Sequence, residues 1–141
     1  MDKTQLEEGL EELIQFYKYK DGLAPVIVQE YNSGKPGEIL MLAYADRKAF
    51  DITREIGYAT FYSRSKKKYW TKGEESGNRL IIKEIRVDCD QDAILYLIEK
   101  EKGGACHTEI TEGENKGEAR NSCFYRRIKD DGNLEFLKGM K

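Results

Sequence analysis

Val87-Asp88-Cys89-Asp90-Gln91-Asp92-Ala93-Ile94-Leu95-Tyr96-Leu97-Ile98 joins a polar, acidic cluster to an apolar run. Carboxylates occupy every second position from Asp88 to Asp92, and the Cys89 thiol lies between the first two. Side chains of extended backbone alternate faces. Asp88, Asp90 and Asp92 are then expected on one side and Cys89 on the other. An oxygen cluster suits a hard cation such as Mg²⁺, and a thiolate suits a softer ion such as Zn²⁺. A purely structural role is equally open. Asp90 and Asp92 directly precede the apolar run, and Asp is favoured at helix N-caps and in first turns. That role makes residues 93–102 a helix with Ile94, Leu95, Leu97 and Ile98 inward, closed by Gly103-Gly104.

Upstream, a long strand from Arg79 to Asp88 delivers the cluster. Before it, Tyr58–Ser65 reads as a strand, Lys66-Lys67-Lys68 as a turn, and Tyr69–Gly73 as the returning strand. Glu74–Asn78 is a polar loop. Strands at Pro25–Tyr31 and Glu38–Ala45 flank a Gly- and Pro-containing turn and form a hairpin. Asp46 caps a helix over Arg47–Ile56 that Gly57 ends. At the N-terminus, Thr4 and Glu7 form a capping box, and Leu6, Leu10, Leu13, Ile14 and Tyr17 recur at helical spacing. An amphipathic helix within residues 1–22 follows, its task being packing. Downstream, residues 109–121 read as a polar solvent loop, and Ser122–Ile128 as a last strand before a short tail. The expected class is α+β, with a mainly antiparallel, half-barrel-like sheet and about three helices.

The 141 residues suit a single domain. With 39% hydrophobic and 35% charged residues, a wet surface surrounds a modest core. A net charge of −2 gives no bulk attraction to nucleic acid or an anionic membrane, so neither is an expected partner. No apolar run approaches the roughly 20 residues needed to span a bilayer, and no signal-peptide pattern opens the chain. A cytoplasmic location is expected. Three cysteines, an odd number, argue against a disulfide framework.

Cys89, Cys106, Cys123 and the single histidine, His107, are zinc-binding residue types. None interrupts an apolar stripe, as inert buried cysteines more often do. Three protein ligands would leave a position for water, whose pKa zinc lowers to roughly 7. Four would close the site. His107 is therefore open between fourth ligand and general acid/base, for which its unperturbed pKa near 6.5 is suited. A second cluster is basic: Arg64, Lys66, Lys67, Lys68 and Lys72 surround Tyr69 and Trp70. Such residues, with Ser76 and Asn78 following, can hold a phosphorylated ring compound. A solvated hairpin tip is the plainer role for Lys66–Lys68. Arg126 and Arg127 add positive charge near Cys123.

Four motifs together resemble the phosphoribosyl-AMP cyclohydrolase family of histidine biosynthesis. They are Trp70–Asn78, Asp88–Asp92, Ala105-Cys106-His107-Thr108 and Ser122–Arg126, in family order within a region from about Gly37 to about Ile128. The resemblance implies an interlocked homodimer that requires Zn²⁺ and Mg²⁺ and opens the N1–C6 bond of the adenine ring of 1-(5-phosphoribosyl)-AMP. It implies Asp88, Asp90 and Asp92 as Mg²⁺ ligands, and Cys89 as a Zn²⁺ ligand together with Cys106 and Cys123 of the partner subunit. His107 is then the expected proton carrier, and Arg64, Trp70, Lys72, Ser76, Asn78 and Arg126 the expected substrate contacts. Residues 109–121 depart from the family pattern, being longer and dominated by Glu112, Glu114 and Glu118. A fused pyrophosphohydrolase domain, carried by some relatives, is not expected within 141 residues. The alternatives are a non-catalytic zinc module held by Cys and His, and a small RNA-binding domain using the basic aromatic hairpin. The net charge and the Asp cluster speak against the latter.

Overall fold

The computed structural model describes residues 12–33, 35 and 37–141. The capping box at Thr4 and Glu7, and the stripe positions Leu6 and Leu10, lie outside the described residues. From residue 12 onward the expected N-terminal helix is replaced by bends and one 3-10 turn, Phe16–Lys18. Ile14 and Phe16 are buried there, but against the body of the molecule rather than along a helical stripe.

The core is a four-stranded sheet in the order β2-β1-β6-β5, with β1 at Ala24–Glu30, β2 at Ile39–Ala45, β5 at Leu80–Val87 and β6 at Ile94–Lys100. The β1–β2 hairpin is as expected from its β-branched run and turn. The β5–β6 pair is antiparallel, but β1 and β6 run parallel, so the sheet is mixed. Among the described residues no closed barrel forms.

β6 corrects the helix expected at 93–102. An apolar run six residues long carries no decisive period, and Ile94, Leu95, Leu97 and Ile98 happen to fit helical spacing. The side chains of Ile94, Tyr96 and Ile98 in fact point together into the core, each at most 1% exposed, while Leu97 is also buried on the opposite face. A strand paired on both edges, with one face in the core and Leu97 buried on the other, carries such a nearly continuous apolar sequence. The Asp90 and Asp92 carboxylates therefore cap no helix.

The one α-helix among the described residues, α1, spans Arg47–Ile56. The Ala49 amide donates to Asp46 Oδ1 at 2.8 Å, and Gly57 closes the helix in the left-handed conformation. Thr53 Oγ1 donates to Thr60 O and accepts from the Thr60 amide, tying α1 to β3, Thr60–Ser63. β3 pairs with β4, Lys68–Thr71, through Phe61↔Trp70 and Tyr62↔Tyr69. A bridge from Tyr58 to Ile81 links this hairpin to β5. The expected last strand at Ser122–Ile128 shrinks to β7, Arg126–Ile128, which pairs with β8, Leu134–Phe136. Ser122 and Cys123 are instead pinned to β2: Ser122 Oγ donates to Ile39 O at 2.7 Å and the Cys123 amide to Leu40 O at 2.7 Å. No helix among the described residues is long and apolar enough to cross a membrane.

Alternation in β6 is testable by adjacent substitutions. Ile98→Ala is expected to cost about 2–5 kcal/mol, and Glu99→Ala, on the exposed side, no more than about 0.5 kcal/mol. Urea denaturation of both variants measures this, and equal losses would contradict the strand.

Candidate active site and carboxylate cluster

Two groups of chemically active residues lie at opposite ends of β6. The first occupies the loop between β5 and β6. Asp88, Asp90 and Asp92 each offer a carboxylate oxygen, and these oxygens lie within 4.8 Å of one another. The cause is a turn, not the alternation of an extended strand. β5 ends at Val87, and the Gln91 amide donates to Asp88 O at 3.1 Å. Gln91 takes φ 59°, and Asp88 Oδ1 accepts from the Asp92 and Ala93 amides at 2.9 and 3.0 Å. Burial raises the Asp88 pKa, but those amide donations outweigh it and hold the carboxyl below its ordinary value. Asp90 is raised, first by hydrogen bonding with Asp92 and then with Asp88. Three crowded carboxylates with one pushed up form an oxygen donor set that a divalent cation would relieve.

The second group follows the far end of β6. The Ala105 and Cys106 amides donate to Asn121 O and Arg120 O, and the Arg120 amide donates to Thr108 O. This short ladder brings the two stems of the 109–121 segment together and sets Cys106 beside Cys123. Gly104 permits the approach, because a Cβ there would sit 2.3 Å from Arg120 O. Most of the segment between the stems is exposed, while Ile110 and Arg120 are buried. The Arg120 guanidinium lies over the rings of Tyr125 and Phe136, 4.3 and 5.6 Å from their centroids.

Cys106, buried, and Cys123, which keeps an exposed surface, lie side by side. Burial raises Cys106, but donation from the Thr108 hydroxyl and amide and from the Cys123 thiol, together with the Arg120 charge, outweighs it, and the thiol sits below its ordinary value. Cys106 Sγ lies 2.9 Å from Thr108 Oγ1. Cys123 is pushed up to about 11, chiefly by burial and then by the Cys106 charge. Lys72 is half-buried nearby. Burial lowers its pKa, and the two sulfurs oppose that.

A cleft of about 530 Å³ opens here. His107, Cys123, Trp70, Lys72 and Ser76 line it, as do Lys66, Lys68, Glu74 and Glu75. Its rim depends on Gly73 at φ 81°, where a Cβ would meet Asn78 C at 2.2 Å. Of the other expected substrate contacts, Arg64 lies outside this cleft, bonded to Asp21 at 2.8 Å and stacked over Tyr44. Asn78 Oδ1 accepts from the Gly103 amide, fastening the 74–78 loop to the end of β6. Arg126 lies exposed over Tyr125. Met41, Ser63, Glu74 and Thr108 were not singled out from sequence. Only their spatial neighbours identify them, although Glu74 and Thr108 fall inside the Trp70–Asn78 and Ala105–Thr108 motifs.

Cys89 does not join the other sulfurs within one chain. Among the described residues the Asp cluster is the only group of three or more His, Cys, Asp or Glu donors gathered within 4.8 Å. Cys89 precedes β6 and Cys106 follows it. The seven residues of β6 alone span roughly 20 Å at 3.3 Å per residue.

The sequence model of the phosphoribosyl-AMP cyclohydrolase family matches residues 41–125. A phosphoribosyl-AMP cyclohydrolase of Methanocella arvoryzae is 47% identical over 114 residues, covering 81% of this chain and 84% of that protein. One from Archaeoglobus fulgidus is 50% identical over 110 residues, covering 78% and 89%. A histidine biosynthesis bifunctional protein of Aquifex aeolicus is 50% identical over 109 residues, and the chain spans about half of its length, 47%.

The two thiols should titrate apart. In metal-free Cys89→Ser protein, thiolate absorbance should rise in one step below the ordinary cysteine pKa, from Cys106, and in a second near 11, from Cys123. Thr108→Val removes a hydroxyl donor to the Cys106 thiolate and should move the first step upward. Two coincident steps would contradict the geometry.

Proposed function

The chain belongs to the phosphoribosyl-AMP cyclohydrolase family, hydrolases of histidine biosynthesis, and from that membership we propose that it opens the N1–C6 bond of the adenine ring of 1-(5-phosphoribosyl)-AMP with Zn²⁺ and Mg²⁺ bound. The observation that carries this proposal is the single cleft shared by His107, Cys123, Lys72 and Trp70, with Cys106 against Cys123.

Both donor sets fit the ions. Paired thiols, one held below its ordinary pKa, are borderline-soft ligands suited to zinc. The Asp88, Asp90 and Asp92 oxygens suit magnesium. Bound zinc supplies Lewis acidity and lowers the pKa of water to about 7.

The chain's own residues do the rest. Trp70 offers a ring face to the purine, and Lys72, Lys66 and Lys68 offer positive charge to phosphate. The half-buried Lys72 ammonium is the strongest of these partners, because its surroundings screen it least. His107 takes a proton from the attacking water as its oxygen bonds to C6, and returns a proton to N1 as the C6–N1 bond breaks, while the second water proton passes from that oxygen to the exocyclic nitrogen to leave a carboxamide. The product is an imidazole carboxamide bearing a formimino group.

A homodimer completes the zinc site in this proposal. Cys89 of the partner subunit joins Cys106 and Cys123, supplying the third sulfur that a chain cannot bring across its own β6. Exposed apolar side chains at Ile39, Leu42, Val87 and Phe124 support association through faces near both donor sets. The three free thiols suit the reducing cytoplasm.

Zinc-loaded protein given phosphoribosyl-AMP and Mg²⁺ should convert purine absorbance to that of the imidazole carboxamide. No turnover by folded, zinc-loaded protein would overturn the activity. His107→Ala should lose about 10²–10⁴-fold in kcat while retaining zinc, whereas lost zinc would make His107 a ligand. Cys89→Ser and Cys123→Ser chains, each inactive alone, should regain activity when mixed, because one site of the mixed dimer recovers every sulfur. No recovery in verified mixed dimers would refute a site shared between subunits.

A further inference from the structure

The Asp88–Asp92 turn is held by a segment upstream of the family match at 41–125. Two glutamines make the connection reciprocally. The Gln15 amide donates to Gln91 O at 2.7 Å, and Gln15 Nε2 donates to Asp90 O at 2.5 Å. In return Gln91 Nε2 donates to Glu12 O at 3.0 Å and Leu13 O at 3.1 Å. Each glutamine is 3% exposed. Tyr17 Oη donates to Gln15 Oε1, fixing that amide's orientation. Tyr19 Oη donates to Asp92 O at 2.5 Å, and Lys18 Nζ lies 3.3 Å from Asp92 Oδ2.

Gln91 pays a conformational cost for this place. Its φ of 59° is uncommon for a side chain of its size, whereas Asn, Asp and Gly adopt it more readily. A long amide in that conformation needs a local compensation, and the two carbonyls of residues 12 and 13 provide it. Turned over in this way, the residue between Asp90 and Asp92 lies on the side away from the carboxylates. Its neighbours' oxygens are left gathered with that of Asp88.

Resting on the magnesium site proposed above, we propose that Gln15 and Gln91 are positioning residues for that site, a buried pair of amides through which the segment 12–19 holds the three carboxylates ready for the cation. Neither glutamine touches the ion. Each fixes a backbone carbonyl or peptide plane next to a ligand, as hydrogen-bonding partners behind metal ligands commonly do. Pre-ordering the turn removes part of the ordering cost that the ion would otherwise meet on binding.

The test uses the full-length, zinc-loaded protein, with Mn²⁺ binding followed by electron paramagnetic resonance and Mg²⁺ as competitor. Gln15→Ala removes one side of the clamp. Gln91→Asn keeps a residue tolerant of positive φ but shortens the amide reach. Both variants should bind either ion about tenfold more weakly, with zinc content unchanged and kcat largely restored at saturating Mg²⁺. Their effects should be less than additive in the double variant, because either change opens the same clamp. Ile98→Val, a core change in β6, controls for general loss of stability and should leave cation affinity unaltered. Wild-type affinity in both glutamine variants, or an equal loss in Ile98→Val, overturns the clamp. A wild-type protein that binds neither Mn²⁺ nor Mg²⁺ instead overturns the magnesium site, and the clamp's role falls with it. Amide exchange on the wild type gives a test free of substitution: by reciprocity of coupling, Mg²⁺ should slow exchange at the Gln15 and Gln91 amides. Unchanged exchange at a bound site also refutes the clamp.

Discussion

β6 is hydrogen-bonded along both edges, parallel to β1 and antiparallel to β5, and this double pairing fixes the distance between the two chemical groups. Moving either end would break ladder bonds on both sides and expose Ile94, Tyr96 and Ile98. The carboxylate turn therefore stays at one end of a stiff strand, and the Cys106–His107 corner at the other. That separation gives the proposed dimer a physical purpose. Three sulfurs can reach one ion only if the third comes from another chain.

The cleft resolves an apparent mismatch between composition and substrate. A chain with net charge −2 does not gather anions in bulk. Lys66, Lys68 and Lys72 outnumber Glu74 and Glu75 in the lining of the cleft, to which the β3–β4 hairpin also gives the Trp70 ring. Phe61, fully buried and directly across the hairpin from Trp70, packs beside that ring at 5.1 Å between centroids. The face of the hairpin that carries Phe61 and Trp70 thus serves core and cleft together, with Ser63 and Lys68 lining the cleft farther along it. The proximity of Lys72 to both sulfurs also couples its charge to theirs.

Local sequence signals carried much of the fold. Asp46 and Gly57 bracket α1 as their cap chemistry requires, and the β1–β2 hairpin follows from its branched residues and turn. The 94–100 run misled, because burial on both faces erases the period that separates strand from helix. The carboxylate cluster had the right members for the wrong reason: alternation was expected, whereas a turn with Gln91 at positive φ gathers them. Arg64 shows a different limit. Its charge and position suggest a ligand contact, but Asp21, 43 residues away, takes its guanidinium. Sequence proximity to the basic hairpin could not reveal a partner brought in by the end of the N-terminal segment.

The 109–121 segment shows why a long polar loop beside a reactive pair is tolerable. Loop closure grows only logarithmically with length, so the extra residues cost little once their stems are fixed. The stems are fixed by the Cys106–Arg120 and Arg120–Thr108 backbone bonds. Cys106 and Cys123 meet through these bonds and through the attachment of Cys123 to β2, independently of what lies at the loop's exposed end. Arg120, though inside the segment, is drawn into the structure by two aromatic rings and donates to Met140 O at 2.5 Å. The boundary between exposed loop and site therefore falls within the loop's own stems, and the exposed acidic residues Glu112, Glu114 and Glu118 lie beyond the bonds that hold Cys106.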